Sequence, residues 1–269
     1  RLDEDSDANT VSGTRNVLTD ESSRNQVTGY NNSLEESDNN TVAGVENELT
    51  NSDRNQVAGH ENTLVDSEEN TVSGECNTLD GSDDNQVSGN CNEVTNSDDN
   101  TIAGDGNYVL DSDGNTVGGT ENTLIDAEDN AVTGLHNDVI SSDNNAVAGN
   151  HNDLFNAYDN QIAGENNDVF NSEGNTVSGY ANEVIDSADN AVSGRWNNVI
   201  NGDANSVVGT QNAITNGANN DVSGQNNAVA NSHNNVVTGE FNDVVDGSNN
   251  NVVGGSNNYL DPSSGNMVV

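Results

Sequence analysis

The same residues return every 15 positions along almost the whole chain, and that periodicity decides what it can fold into. Aligned on asparagine, one column runs Asn25, Asn40, Asn55, Asn70, Asn85 and onward to Asn250, with Asn9 displaced by a one-residue insertion in the first coil. A second column runs Asn32, Asn47, Asn62, Asn77 and onward to Asn257. A glycine follows each first asparagine by four, from Gly29 and Gly44 to Gly254. Two apolar columns accompany them: Val27, Val42, Val57, Val72 through to Val252, and Leu34, Leu49, Leu64, Leu79 through to Val244. In the last coil the pattern slips by one residue, and Asn258, Leu260 and Val268 resume it.

Within each unit, Asn-x-Val-x and Asn-x-Leu-x alternate with a period of two, the signature of a strand with one buried face. Neither segment is long enough to stand alone, so each coil must satisfy its backbone groups with the coils above and below it. The expected fold is all-β: a narrow single-stack β-solenoid (β-roll) of about 17 coils, two short strands per coil. Residues 1–269 read as one solenoid, either a complete repeat domain or a piece of a longer array. Val42, Val57 and Val72 would face Leu49, Leu64 and Leu79 across a core two side chains wide, β-branched residues standing where a pleated surface favours them. Asn40, Asn55 and Asn70, and likewise Asn47, Asn62 and Asn77, would form corner ladders in which each amide bonds the next coil, as in stacked cross-β chains. A serine column (Ser37, Ser52, Ser67, with Ala127 and Ala157 as substitutes) reads as a small inward-facing corner.

Composition enters as a constraint on function. The chain has 46 acidic residues against 5 arginines, no lysine, a net charge of −41 and 3% aromatics. Low hydrophobicity with high charge ordinarily means disorder, and here the unbroken apolar columns argue against it. Such a surface excludes nucleic acid and an anionic membrane as partners, because phosphate recognition needs positive charge. No apolar run approaches the ~18 residues of a membrane span. A core this thin leaves no room for a pocket of ordinary enzyme size. Every carboxylate belongs to a repeated, solvated column, so the chain is not expected to be an enzyme. No cofactor and no metal site are expected, beyond weak surface Ca2+ binding at acidic clusters such as Asp3-Glu4-Asp5 and Asp98-Asp99.

The two strand faces differ. Residues flanking the first apolar column are small and uncharged: Thr10, Thr28, Thr41, Thr71, Ser73, Thr101, Thr116, Thr133, Thr176 and Ser178, interspersed with Gln and Ala, and charge is nearly absent until Asp221. The other face mixes acids such as Glu48, Asp138, Asp153 and Asp168 with an apolar line from Leu110 and Ile125 to Phe155, Phe170 and Ile200, which suggests a second contact surface. The adjoining turn is acidic (Asp38, Asp53, Glu68, Asp83), and stacked carboxylates imply cation binding, a hydrated edge or a penalty at low ionic strength.

Cys76 and Cys91 share a column and would lie one coil apart, within reach of a disulfide; bridge and free thiols are both open, and a bridge would imply an oxidising compartment. His136 and His151 also share a column, but two imidazoles alone make a weak metal site. His60 and His233 stand elsewhere.

The unit x-x-Asn-x-Val-x-Gly, as in Asn40-Thr41-Val42-Ala43-Gly44, Asn70-Thr71-Val72-Ser73-Gly74 and Asn175-Thr176-Val177-Ser178-Gly179, resembles the repeat of the ryegrass-type antifreeze family. The resemblance implies a β-roll with internal valine ladders and asparagine corners, one flat face that binds ice and inhibits its recrystallisation, and a secreted or cell-surface location. The partner would then be ice or a water surface. The second half-repeat lacks the glycine, and threonine alternates with glutamine at 41, 56, 71, 86 and 101 before drifting to alanine. These departures, with the charge, point to an alternative: a structural protein of an extracellular filament, cell-surface appendage or adhesin stalk, cation-associated through its acidic columns and self-associating end to end or laterally. Ice binding is the preferred reading, because the resemblance supplies it and the uncharged face permits it.

Overall fold

A computed structural model describes residues 7–269, so the acidic cluster Asp3-Glu4-Asp5 lies outside the described residues. The fold is an all-β parallel solenoid with two strands per coil. Its coils fall into two compact units, Arg1–Leu135 and His136–Val269, each built in the same way.

One coil, residues 55–69, stands for the rest. Its long strand is Gln56–His60 and its short strand Thr63–Val65. Each pairs in parallel with its equivalent in the next coil, fifteen residues on, as in Val57↔Val72 and Leu64↔Leu79. Val57 and Leu64 point inward and are 2% and 0% exposed, and the same two columns are closed to solvent in nearly every coil. Burying one such side chain stabilises by about 1.5–3 kcal/mol, and there are only two per coil, so the polar corners must contribute.

Three residues per coil turn the chain, all with left-handed backbone: Arg54 (φ 59°), Glu61 (φ 55°) and Asp66 (φ 48°). Each immediately precedes an inward polar residue: Asn55, Asn62 or Ser67. The backbone N–H of each of these three has no partner in its own coil, and the side chain one coil back supplies it. Asn40 Oδ1 accepts from Asn55 N at 2.8 Å, Asn47 Oδ1 from Asn62 N at 3.2 Å, and Ser52 Oγ from Ser67 N at 3.2 Å. The amide nitrogens use their remaining capacity on carbonyls: Asn55 Nδ2 donates to Ser67 O (2.8 Å) and Asn62 Nδ2 to Gly74 O (3.1 Å). Three buried polar ladders therefore carry what a sheet alone would leave unpaired.

The glycine column has a steric cause. Gly59 has φ 140°, and a Cβ there would sit 1.9 Å from the carbonyl oxygen of Gly74. A side chain cannot fit without separating the coils.

Among the described residues two are extra to the repeat, and both fall at the serine corner. Asp20 and Glu21 are both left-handed (φ 49° and 63°) ahead of Ser22, as Asp246 and Gly247 (φ 52° and 84°) are ahead of Ser248. The second insertion lies one turn earlier than the slip read from the sequence. Asn251, not Asn250, continues the first ladder, with its N–H on Asn235 Oδ1 at 3.0 Å, and Asn258, not Asn257, continues the second. Val253 rather than Val252 is in the core, and Gly255 rather than Gly254 stacks on Gly239. Asn250 and Asn257 occupy the left-handed corners instead. The buried ladders hold the register, so the spare residue goes where the chain meets solvent.

Candidate surface-binding face

Most long strands present an outward position on either side of a buried valine or isoleucine. Thr10, Thr41, Thr71, Thr101, Thr116 and Thr176 occupy the first, and Thr28, Ser73, Thr133 and Ser178 the second; Ser178 is half-buried and the others are exposed. In the first unit the register Thr41↔Gln56↔Thr71↔Gln86↔Thr101↔Thr116 runs without a break. Threonine thus recurs every second coil before two come together. Cys76 and Cys91, also one coil apart, have Cα atoms 4.6 Å apart, which gives the repeat distance. Hydroxyls and methyls are held on a flat, continuously hydrogen-bonded, polar sheet.

The strand does not end at the glycine. A further residue follows it, forming a third column that the sequence reading left out: Val45, His60, Glu75, Asn90 and Asp105 in register. This column is bulkier and partly charged, so the neutral strip is two residues wide with a charged rim. The period of two, carried one step past the glycine, locates it. In the second unit the neutral strip becomes more apolar, with Val208 and Val236 exposed beside Ser206 and Thr238.

The remaining predicted features sit away from this strip. Cys76 and Cys91 are joined in a disulfide at the corner ahead of the second asparagine column. His136 and His151 occupy the same corner in the second unit with rings stacked at 5.0 Å. His60, which the sequence did not single out, is drawn toward three glutamates. Its Nε2 lies 3.4 Å from Glu61 and 4.0 Å from Glu46, and its Nδ1 3.5 Å from Glu75. Glu46, His60 and Glu61 present ligand atoms close enough to share a cation, all on the surface.

The acidic turn of the first unit has a role in coil stacking. Asp53 Oδ1 accepts the N–H of Asp38 (2.6 Å), Asp83 that of Glu68 (2.6 Å) and Asp98 that of Asp83 (2.8 Å). In the second unit the same corner links through main-chain bridges, Tyr158↔Glu173↔Ala188↔Asp203↔Ala218, and the acids thin out. Arg54 offsets two of the charges by pairing with Glu69 at 2.7 Å and with Glu68. Desolvation, with Glu69 and Asp99 alongside, holds the Asp84 carboxyl above its ordinary range. On the short-strand face, desolvation pushes Asp168 up to about 6, with Asp153 and Glu183 adding to it.

The class these observations define is a parallel β-solenoid with asparagine ladders and a flat polar sheet. No protein-family model matches the chain, and no curated protein matches it. Among solved structures it is similar to a putative acetyltransferase from Desulfovibrio desulfuricans G20, at 9% identity and a TM-score of 0.19, the match spanning 62% of each chain. It is also similar to the polysialic-acid-specific acetyltransferase NeuO, at 14% identity and a TM-score of 0.10 over 90% of this chain and 81% of that one. The polysialic acid O-acetyltransferase OatWY gives 13% identity and a TM-score of 0.10 over 84% of each chain. At such TM-scores these likenesses carry no argument about what this chain does.

Proposed function

We propose that this protein binds ice through the neutral strip of its long strands and thereby inhibits recrystallisation. One observation carries the reading: two columns of small uncharged side chains, centred on Thr41, Thr71, Thr101 and Thr116, repeat at the coil spacing on an otherwise acidic molecule. A rigid sheet fixes hydroxyls and methyls at one repeat, so the water they hold is positioned without being reorganised around charge. The resemblance of the repeat to the ryegrass-type family supports the same reading. The Cys76–Cys91 disulfide supports a secreted or cell-surface location, since such bonds persist in oxidising compartments.

The test is ice recrystallisation inhibition and crystal shaping by the chain and by a Thr41→Lys, Thr71→Lys, Thr101→Lys variant. The reading predicts activity that moves to concentrations ~10-fold or more higher in the variant, with the β-sheet spectrum unchanged. A wild-type chain that neither shapes ice nor slows recrystallisation would sink the reading. The filament or stalk role would then stand in its place.

A further inference from the structure

The two outward columns of the short strands change character together over one stretch of the second unit. Asp138, Asp153, Asp168 and Glu183 stack in register, and two residues further along the same strands Ile140, Phe155, Phe170 and Ile185 stack beside them. The block then stops. Glu183 is followed by Asn198, which donates to it, and then Ala213, while Ile185 is followed by Ile200 and then Thr215. Elsewhere the same two positions vary freely, as with Thr63 and Val65 or Thr78 and Asp80.

This arrangement is costly as it stands. Four carboxylates lie one coil apart against an apolar column, and the second unit has a single arginine to set against them. That arginine, Arg195, is on a long strand, and His151 offsets Asp153. Phe155 keeps 48% of its surface exposed. Like charges in register and a water-facing aromatic both weaken a solenoid. Both penalties vanish together under a partner that is apolar along one line and positive along the next.

We propose that this face is a docking surface for a cationic amphipathic protein segment, laying aliphatic side chains on the Ile/Phe column and Lys or Arg on the carboxylate column. Charge complementarity selects that occupant. A second copy of the chain would bring the same carboxylates and a net charge of −41. A neutral apolar partner would bury the carboxylates unpaired, which is unfavourable. A basic segment converts the repulsion into ion pairs and is steered in by the field of the whole molecule. The face belongs to the opposite sheet from the neutral strip, so the inference stands whether or not that strip binds ice.

The experiment uses the full chain and a synthetic amphipathic helical peptide, Lys-Leu, that carries a stripe of Leu beside a stripe of Lys, with Lys-Ser and Glu-Leu counterparts of equal length in which Ser replaces Leu or Glu replaces Lys. Binding is followed by calorimetry at about 50 and about 300 mM salt, spanning the change in screening. The expected result is that only Lys-Leu binds well, that salt weakens it, and that Phe155→Thr with Phe170→Thr weakens it ~10-fold or more. Threonine is the residue of Thr95 and Thr215 in the same column, so those variants fold. Asp153→Asn with Asp168→Asn should weaken it as well, whereas Asp84→Asn with Asp99→Asn, which removes equal charge from the first unit, should leave it unchanged. Equal loss from both acidic pairs, or Lys-Ser binding as tightly as Lys-Leu, would mean a plain polyelectrolyte effect and overturn the proposal. So would Glu-Leu binding, or self-association abolished by the Phe variants.

Discussion

Nearly every coil meets three left-handed corners; at the two asparagine corners the following N–H is taken by an asparagine one coil back, and at the third by a serine wherever the coil before has one. Asn62 shows how much hangs on one such residue. Its Oδ1 serves both nitrogens of Asn77, and its Nδ2 serves Asn47 and Gly74. Asn62→Ala leaves buried donors and acceptors on both sides unpaired, each costing about 1–3 kcal/mol, and the deficit should appear as faster amide exchange in the flanking coils. Glycine offers a matched pair. Gly59→Ala meets a backbone oxygen at 1.9 Å in left-handed backbone and should cost more than ~3 kcal/mol in thermal or denaturant unfolding. Gly118→Ala meets nothing closer than a Thr133 methyl at 3.5 Å, in a column that holds Ala43, Ala58 and Ala103, and should fall within ~0.5 kcal/mol of the parent. The asparagine and glycine columns were legible because each position has one chemical solution, and the serine column because only a small residue fits there. The register near the C-terminus was not, because Asn250-Asn251, Val252-Val253, Gly254-Gly255 and Asn257-Asn258 each offer two candidates, and only the buried ladder chooses between them.

At the scale of the strand, the buried ladders and the neutral strip follow from a period of two, and both were legible. The third column was not, because the reading stopped at the glycine, whereas the pairing runs on through Gly59 to His60. The use of acidic side chains as acceptors for the preceding coil was also hidden, since a carboxylate in a repeated column looks merely solvated. The short-strand acids carry a pH dependence. Asp168 has its pKa raised to about 6 by desolvation, so between its ordinary value of 3.8 and 6 the folded chain binds more protons than the unfolded one. Stability therefore falls as pH rises through that window, and the penalty is complete above it. Asp168→Asn should raise the melting temperature at pH ~7.5 and give no gain at pH ~3.5, readable in paired thermal scans. A gain of equal size at both values would place the effect in packing instead.

Taken whole, the molecule confines its charge. Of 46 acidic residues, those at 38, 53, 68, 83 and 98 line a turn, and others line the short strands, while the two inner columns of the long strands stay nearly free of them as far as Asp221. A chain with a net charge of −41 repels itself and repels polyanions, and its long strands carry neutral columns within that charge. That contrast between strip and surroundings is the central claim, and adsorption tests it most directly. The fluorescently labelled chain would be frozen slowly into a growing ice crystal beside the Thr41→Lys, Thr71→Lys, Thr101→Lys variant, and the label in ice compared with that left in the liquid. The account predicts the parent enriched in the ice and the variant excluded into the liquid. Exclusion of both to the same degree would contradict it.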